Sequence, residues 1–336
     1  MLQLLALLTA TLPTQVTTAG VVTWEVDPTV SYLRLTIPDQ SVAVTNVGNI
    51  TIRMRDANST SQWTDAGGRR AALAGVLVTD YTEAPSIRFL GGAHDLWALE
   101  AASLRPNPTA WDTATASYTN TTSAPAALGG RVRGTYLIAT FDAAFLAFRA
   151  VRLDITNAAP GDIALTNGAF ASHTTCCGIQ SALVDVDGLE LPLGLGQPIP
   201  DVLHASLSPM VQTNAAGGSI TNLGGSLHKL TYPINLPDLA INLGDTAIAG
   251  SAAGLIVATA VIPPPAPPPT LSVRRQGAAI VLAWPTNATG FALEYATQLP
   301  TMNWFPASPL PVVVNGENIV TNWMTPGAAF YRLRKP

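Results

Sequence analysis

Ser31-Tyr32-Leu33-Arg34-Leu35-Thr36-Ile37 places an apolar side chain at every second position from Leu33 to Ile37, with Arg34 and Thr36 between. Successive side chains of an extended strand point to opposite faces, so Leu33, Leu35 and Ile37 belong to one core and Arg34 and Thr36 face away from it. Asp27-Pro28, just upstream, is a turn signal. The pattern repeats outward: Ile50, Ile52 and Met54 alternate within residues 49–55, and Val151-Arg152-Leu153-Asp154-Ile155 alternates again. Shorter runs at 73–79, 86–90, 163–165, 182–186, 189–193, 228–232 and 255–262 also read as strands. No apolar stripe of period 3.6 is sustained, so the fold class is all-β.

Two segments depart from plain alternation. Residues 134–141 are strongly apolar, and Phe141, Phe145 and Phe148 have helical spacing, which admits a short helix as readily as continued strand. Residues 105–127 are full of Pro, Asn, Thr and Ser and predict a long surface excursion. Leu33–Ile37 is echoed at 151–155, and 137–140 at 256–259, at nearly equal offsets; either residues 22–140 and 141–262 are related halves, or strand sequences, repetitive in composition, match here by chance.

Composition agrees with β-structure joined by polar turns. Of 336 residues 48% are hydrophobic and only 11% charged, where about 25% is usual. The net charge of −4, with no Lys/Arg run, leaves no electrostatic footprint for a phosphate backbone, so nucleic acid is excluded as a partner. Met1–Ala10 is almost wholly apolar, and Thr17-Thr18-Ala19 follows like a small-residue cleavage site, although a basic start is missing. Residues 1–19 therefore read as a secretory signal peptide. The apolar run falls short of the roughly 20 residues of a transmembrane segment.

Pro263-Pro264-Pro265-Ala266-Pro267-Pro268-Pro269 divides the chain. In polyproline II form these residues rise about 3.1 Å each, roughly 20 Å in all, a semi-rigid linker over 263–269. Before it, residues 20–262 form a β-barrel or β-sandwich. After it, residues 270–336 carry an apolar strand ending in Trp284-Pro285, the pattern Phe291-x-Leu293-x-Tyr295, and Pro326-Gly327 leading to Phe330-Tyr331-Arg332-Leu333-Arg334. This resembles a fibronectin type III-like module of bacterial secreted proteins, implying a small β-sandwich. Two features depart from the family. Its spacing from Met324 puts the corner tyrosine at Phe330, one residue before Tyr331, and nothing after Pro336 supplies a last strand. The resemblance therefore implies an open edge, able to accept another strand and guarded by Arg332, Arg334 and Lys335. At the other end, Trp24-Glu25-Val26-Asp27-Pro28 with Ser31 and Leu33 resembles the first strand of the YceI-like family of exported lipid-binding barrels, over some fourteen residues. That resemblance implies a closed barrel around an apolar chain.

Candidate chemistry is sparse. His173, Cys176 and Cys177 are types that bind zinc or copper, but a closed zinc site needs four ligands and His94, His204 and His228 stand alone in sequence. The adjacent cysteines allow a vicinal disulfide or two reduced thiols instead. Asp185-Val186-Asp187-Gly188-Leu189-Glu190 has calcium-ligand oxygens but not the full loop, and Asp187-Gly188 reads as a hairpin turn. Gly224-Gly225-Ser226-Leu227-His228 lacks the second glycine of a nucleophile elbow, and Gly194-Leu195-Gly196 the third glycine of a dinucleotide loop. Glu25 and Asp27 share one face of a strand start without further catalytic context. Trp63, Trp97 and Trp111 lie in or near polar loops, where an indole either stacks on sugars or anchors the loop. Sequons stand at Asn49, Asn58, Asn120 and Asn287.

The sequence thus predicts an exported, non-enzymatic, two-domain β protein, secreted, periplasmic or at the cell surface. It would need no cofactor, and its partner would be an extracellular ligand or surface polymer. Two other classes stay open. One is a YceI-like carrier of a lipid or isoprenoid, which requires a hollow barrel. The other is a secreted carbohydrate-active hydrolase, which requires carboxylates, or Ser, His and Asp, converging in one cleft.

Overall fold

The computed structural model describes residues 20–44, 48–55, 69–81, 86–158, 161–189, 202–207, 209–243, 246–262, 269–299, 303–324 and 327–335. Residues 1–19, read above as a signal peptide, linker residues 263–268, Trp63, Asn58, residues 190–193 of the expected strand 189–193, Gly194–Gly196 and Pro326 lie outside them. The chain divides into two compact units, residues 1–264 and 265–336. Both are built of β-strands, and the other regular element among the described residues is a single 3-10 turn at Pro108–Ala110.

The large unit begins with β1 (Val21–Val26), β2 (Tyr32–Thr36), β3 (Gln40–Val44), β4 (Gly48–Arg55), β5 (Arg70–Asp80), β6 (Ser86–Phe89) and β7 (Asp95–Ala98). The excursion holds β8 (Ala102–Leu104), β9 (Trp111–Asp112), β10 (Ser117–Tyr118) and β11 (Ala124–Ala126). Next come β12 (Leu128–Tyr136), β13 (Ala139–Asn157), β14 (Ile163–Ala164), β15 (Ala169–Phe170) and β16 (Thr175–Gly188). The unit ends with β17 (Val202–Leu207), β18 (Met210–Thr213), β19 (Gly218–Gly224), β20 (Leu227–Leu243) and β21 (Thr246–Val261).

Four long strands, β13, β16, β20 and β21, run the length of this unit, and short strands fill the gaps between them in two tiers. In one tier antiparallel pairings run from β20 to β21, then β1 and β2, β5, β7, β13, β16 and β18. In the other tier β12, β4 and β3 continue from the first half of β13. Side-chain amides close both circuits. Asn214, fully buried, donates from Nδ2 to Pro233 O (2.8 Å) and accepts from Asn235 N (2.8 Å), while Ala215 N donates to Asn235 O, joining β20 to the end of β18. Gln40 accepts from Ala249 N (3.0 Å) and donates to Ala249 O (3.1 Å), joining β3 to β21. Since Asn235 N–H faces the first seam, the missing N–H of Pro233, two residues away, falls on that seam too, where no ladder bond is lost. The result is a barrel.

One face of each strand points into the barrel. Trp24, Leu33, Ile50, Ile52, Leu73, Leu77, Leu96, Ile155, Cys177, Leu230, Tyr232 and Ile256 are each at most 1% exposed and belong to one continuous core. Full burial of each such aliphatic or aromatic side chain contributes about 1.5–3 kcal/mol. The polar ends are paired: Trp24 Nε1 donates to Thr79 Oγ1 (2.8 Å), and Tyr232 and Thr175 share a hydroxyl bond at 2.7 Å. At mid-height, between Leu33, Leu128, Phe148, Ile179, Met210 and Leu239, a void of about 10 Å³ remains. That is room for about one water, and its apolar lining offers no hydrogen bond to hold one. Around this void the described core side chains pack closely.

One local expectation needs correction, and two open alternatives are decided. Phe141, Phe145 and Phe148 lie in strand β13, not a helix; residues 143–149 are all buried because the excursion covers the outer face there, which erases the alternation. Asp187-Gly188 is not a turn, for β16 runs through it, paired with β13 up to Gly188↔Ala144. The internal echo is not structural: Leu137 and Ile138 form the exposed β12–β13 turn, 83% and 100% exposed, whereas Ile256 is buried within β21.

The small unit comprises β22 (Ser272–Gln276), β23 (Ala279–Pro285), β24 (Ala292–Ala296), β25 (Phe305–Pro306), β26 (Val312–Val314), β27 (Glu317–Trp323) and β28 (Phe330–Arg334). They form a four-stranded sheet in the order β22-β23-β27-β26 and a three-stranded sheet in the order β25-β24-β28. Leu282, Trp284, Leu293 and Val320 make its core, with Tyr295, Tyr331 and Leu333 half-buried against it.

Candidate functional site

Where β13, β16 and β17 run side by side, Leu146, Val184 and Val186 fill the barrel. The two-residue period then turns Phe145, Ala147, Arg149, Asp185 and His204 to the outer wall. Asp185 lies opposite Ala147 on one side and His204 on the other. Strands and turns at 99–127 cover this wall. Leu104 and Ala126 pack on Ala147, and the Arg105 guanidinium carbon sits 3.9 Å from the centroid of the Phe145 ring.

Arg149 organises the cover. Its Nε donates to Pro125 O (2.9 Å), its Nη2 to Leu104 O (3.1 Å) and Pro106 O (2.7 Å), and its Nη1 to Asp185 Oδ2. One planar fork thus binds three carbonyls of the excursion and one carboxylate of the wall, a geometry Lys could not match. Asp185 is fully buried. Its Oδ1 lies 2.8 Å from the Tyr118 hydroxyl and 2.6 Å from His204 Nδ1. A carboxylate only accepts, so His204 carries its proton on Nδ1 and, when neutral, offers a lone pair on Nε2. The side chain of His204 is 32% exposed. Burial, followed by the hydrogen bond to Asp185 and its charge, pushes the Tyr118 phenol far above its ordinary range, so the hydroxyl stays a donor.

Trp111 completes the cluster. It is paired with Tyr118 across the β9–β10 hairpin, meets that ring edge-on at 5.1 Å, and stacks on His204 at 5.4 Å with planes 29° apart. The loop beneath is set by short polar turns. Asn107 Oδ1 accepts from Thr109 N at 3.0 Å, and Asp112 accepts from Ala114 N at 2.8 Å and from the Thr115 hydroxyl, which hold its carboxyl below the usual range. At the rim Arg105 lies 3.6 Å from Asp187, whose carboxyl is raised by burial against the opposing pull of that arginine.

The arrangement has the His–Asp half of a nucleophile-activating set. Among the described residues, however, no serine or cysteine hydrogen-bonds to His204, and Asp185 is spent on three donors. What it presents outward is an imidazole nitrogen beside half-buried aromatic rings, a combination suited to binding.

Of the residues singled out by sequence, Asp185 and Trp111 belong to this cluster and the others lie elsewhere. His173 sits at a positive φ of 69° in the turn before β16. Cys176 and Cys177 are free thiols on successive positions of β16, directed to opposite faces. Cys177 faces the core, and burial pushes its thiol up to about 12. Gly178 beside them permits β18 to approach, since a Cβ there would lie 1.9 Å from the Met210 carbonyl oxygen. Among the described residues no three His, Cys, Asp or Glu side chains gather to hold a metal. Trp97 lies over Gly75 and beside Arg152, a packing role. Asp27 caps its own turn through Thr29, and Ser226 and His228 belong to the β19–β20 hairpin. Sequence reading passed over Arg149, Tyr118 and His204 as site residues. One signal was available: a lone arginine inside the apolar run Ala143–Val151 requires a buried partner.

Among the described residues no helix is long and apolar enough to cross a membrane. No family model, curated protein or solved structure matches this chain.

Proposed function

We propose that the chain is an exported, non-catalytic binding or adhesion protein, acting outside the cytoplasm or at the cell surface through the outside of its barrel. The observation that carries this reading is the close packing of the described residues inside the barrel. An apolar carrier needs a continuous cavity of hundreds of cubic ångströms, and the void at mid-barrel is about 10 Å³. A ligand must then meet the outer wall, where the Trp111–His204–Tyr118 cluster joins aromatic surface to a free ring nitrogen. The small unit is read as a fibronectin type III-like module. Its two sheets, β22-β23-β27-β26 and β25-β24-β28, support that reading.

The test is retention of the purified chain on immobilised extracellular polysaccharides and on whole cells, compared with Trp111→Ala and His204→Ala. The reading expects retention that both substitutions reduce at least tenfold without a change in the folded state. A lipid found within the barrel by native mass spectrometry, or release of soluble sugar from the polymer, would overturn it in favour of a carrier or a hydrolase.

A further inference from the structure

Two neighbouring hairpins of the large unit, β3–β4 and β12–β13, reach the same end of the barrel. Strands β12 and β4 pair as Arg131↔Arg55, Arg133↔Arg53 and Thr135↔Thr51. Continuing that register brings Leu137 and Ile138, the β12–β13 turn, level with Asn49 and Gly48, where β4 leaves its own turn. Neither hairpin end carries a charge: none occurs in residues 40–52 or in residues 134–141. Charge returns in both at one level, with Arg53 opposite Arg133 and Arg55 opposite Arg131. Beside them Asp142 lies 3.6 Å from Arg131 Nε and 3.3 Å from Arg133 Nε, and Asp39 precedes β3. Asp187, one strand further along, is met by Arg105. Among the described residues of this band, four arginines therefore stand against Asp39 and Asp142.

The tip is unfavourable in water on two counts. Leu137 and Ile138 are 83% and 100% exposed, consecutive aliphatics where turns ordinarily place polar residues or glycine. A two-residue hairpin loop also needs a positive φ at its first position, which is why Gly, Asn and Asp dominate there. Leu137 adopts it, at φ 52°, with a bulky side chain. Behind the tip, like charges directly opposite across β4 and β12 repel. A partner that is apolar at the tip and anionic one band further back relieves both the exposure and the repulsion.

We propose that this end of the barrel docks on an anionic phospholipid bilayer, with Leu137 and Ile138 in the interface and the arginine band behind them at the level of the phosphates. The dimensions agree. Arg133 is four residues from Leu137, about 13 Å along a strand and about 10 Å in depth on barrel strands tilted 35–45°. Interfacial segments bury their apolar face about 5–10 Å deep. Arg131 and Arg133 have side chains 14% and 17% exposed, so they act as a fixed positive field behind the tip, felt over about a Debye length. Tyr136 and Phe141, on either side of the turn, pack back on the core and hold the tip stiff. Charge selects the bilayer over a second copy, since two copies meeting at these ends would set one arginine band against another. The proposal goes beyond the aromatic cluster at Trp111 and does not depend on it.

Co-sedimentation of the full chain with vesicles tests this, using phosphatidylcholine alone and phosphatidylcholine mixed with phosphatidylglycerol. Binding is expected to the anionic vesicles, at least tenfold weaker to the neutral ones, and lost at 1 M salt, where the Debye length is about 3 Å. Leu137→Asn with Ile138→Gly gives the turn the residues its backbone favours. That variant should be at least as stable as the wild type and yet bind anionic vesicles at least tenfold less. In a Cys176→Ser background, Ile138→Cys carrying an environment-sensitive fluorophore should brighten on the anionic vesicles and not on the neutral ones. Equal binding to both vesicle types, or binding to neither, overturns the proposal. So does unchanged binding by the double variant, or tip-dependent dimerisation in place of vesicle binding, which would give the tip to a second copy.

Discussion

In the large unit, side chains finish what the backbone ladders leave open: Asn214 and Gln40 bridge the two seams, and Arg149 with Asp185 fastens a loop over the outer wall. In the small unit charges pair on the sheet surface instead, where Arg332 and Arg334 of β28 face Glu294 of β24. Both units therefore contain an arginine–carboxylate pair on a strand, in opposite settings. Arg149 and Asp185 have side chains 6% and 0% exposed; Arg332 and Glu294 are 40% and 15% exposed. The same chemistry locks one unit and merely decorates the other, because removing an ion from water makes its partner indispensable.

The largest effect should come from breaking the buried pair. Asp185→Ala leaves the Arg149 guanidinium buried with three carbonyls and no counter-charge, and such losses cost about 3–5 kcal/mol. A urea midpoint reporting the large unit should fall accordingly. A loss below about 1 kcal/mol would mean that the excursion is held by its apolar contacts and that the contrast between the pairs is false. Next comes Asn214→Ala, which orphans Pro233 O and Asn235 N at the seam. Each unsatisfied buried group costs about 1–3 kcal/mol, and hydrogen exchange should quicken first along β20 beside the seam. Uniform protection along β20 would show that the closure does not depend on this side chain.

Legibility from sequence followed the same division. Alternation at Leu33–Ile37 and Val151–Ile155 exposes β structure because one face of each strand meets the core and the other meets polar surroundings. It fails at residues 143–149, where the excursion covers the second face and both sets of side chains are apolar or ion-paired. Asp185 and His204 form a site only because β16 and β17 pair in the register that sets them opposite each other, and a register between strands has no local sequence signal. The seam residues Asn214 and Gln40 are hidden for the same reason: polar residues beside turns are ordinary until the circuit closes on them.

A change of pH probes the large unit without mutation. His94 accepts from Val78 N through Nδ1 (2.9 Å) and lies 2.7 Å from Ile155 O through Nε2, so it is held neutral with its proton on Nε2. Burial lowers its pKa below 6.5, against the opposing pull of the Ile155 carbonyl and Asp154. A depressed folded pKa means that the unfolded chain takes the proton first as pH falls. The stability contributed is therefore present above about 6.5 and is lost below it, through the lower folded value. Denaturation midpoints should decline on acidification through this window, and His94→Gln should flatten part of that slope. An identical slope in the variant would assign the acid sensitivity to other groups.

The smallest effect is expected at the half-exposed pair. Glu294→Gln removes the carboxylate that Arg332 meets at 2.7 Å and Arg334 at 3.5 Å. Arg332 keeps a second contact, its guanidinium carbon 4.1 Å from the centroid of the Trp304 ring, and remains open to water. Exposed pairs are worth about 0.2–1 kcal/mol and are screened by salt, so the small unit should lose no more than that, and less at 1 M salt. A loss of several kcal/mol would show that Glu294 holds β28 in place as Asp185 holds the excursion, and that an open edge depends on its ion pair as much as a closed wall does. The half-buried Tyr331 and Leu333, which pack on the small core from the same strand, argue that apolar contact keeps β28 in register and that the charges on its other face serve to keep neighbouring strands away.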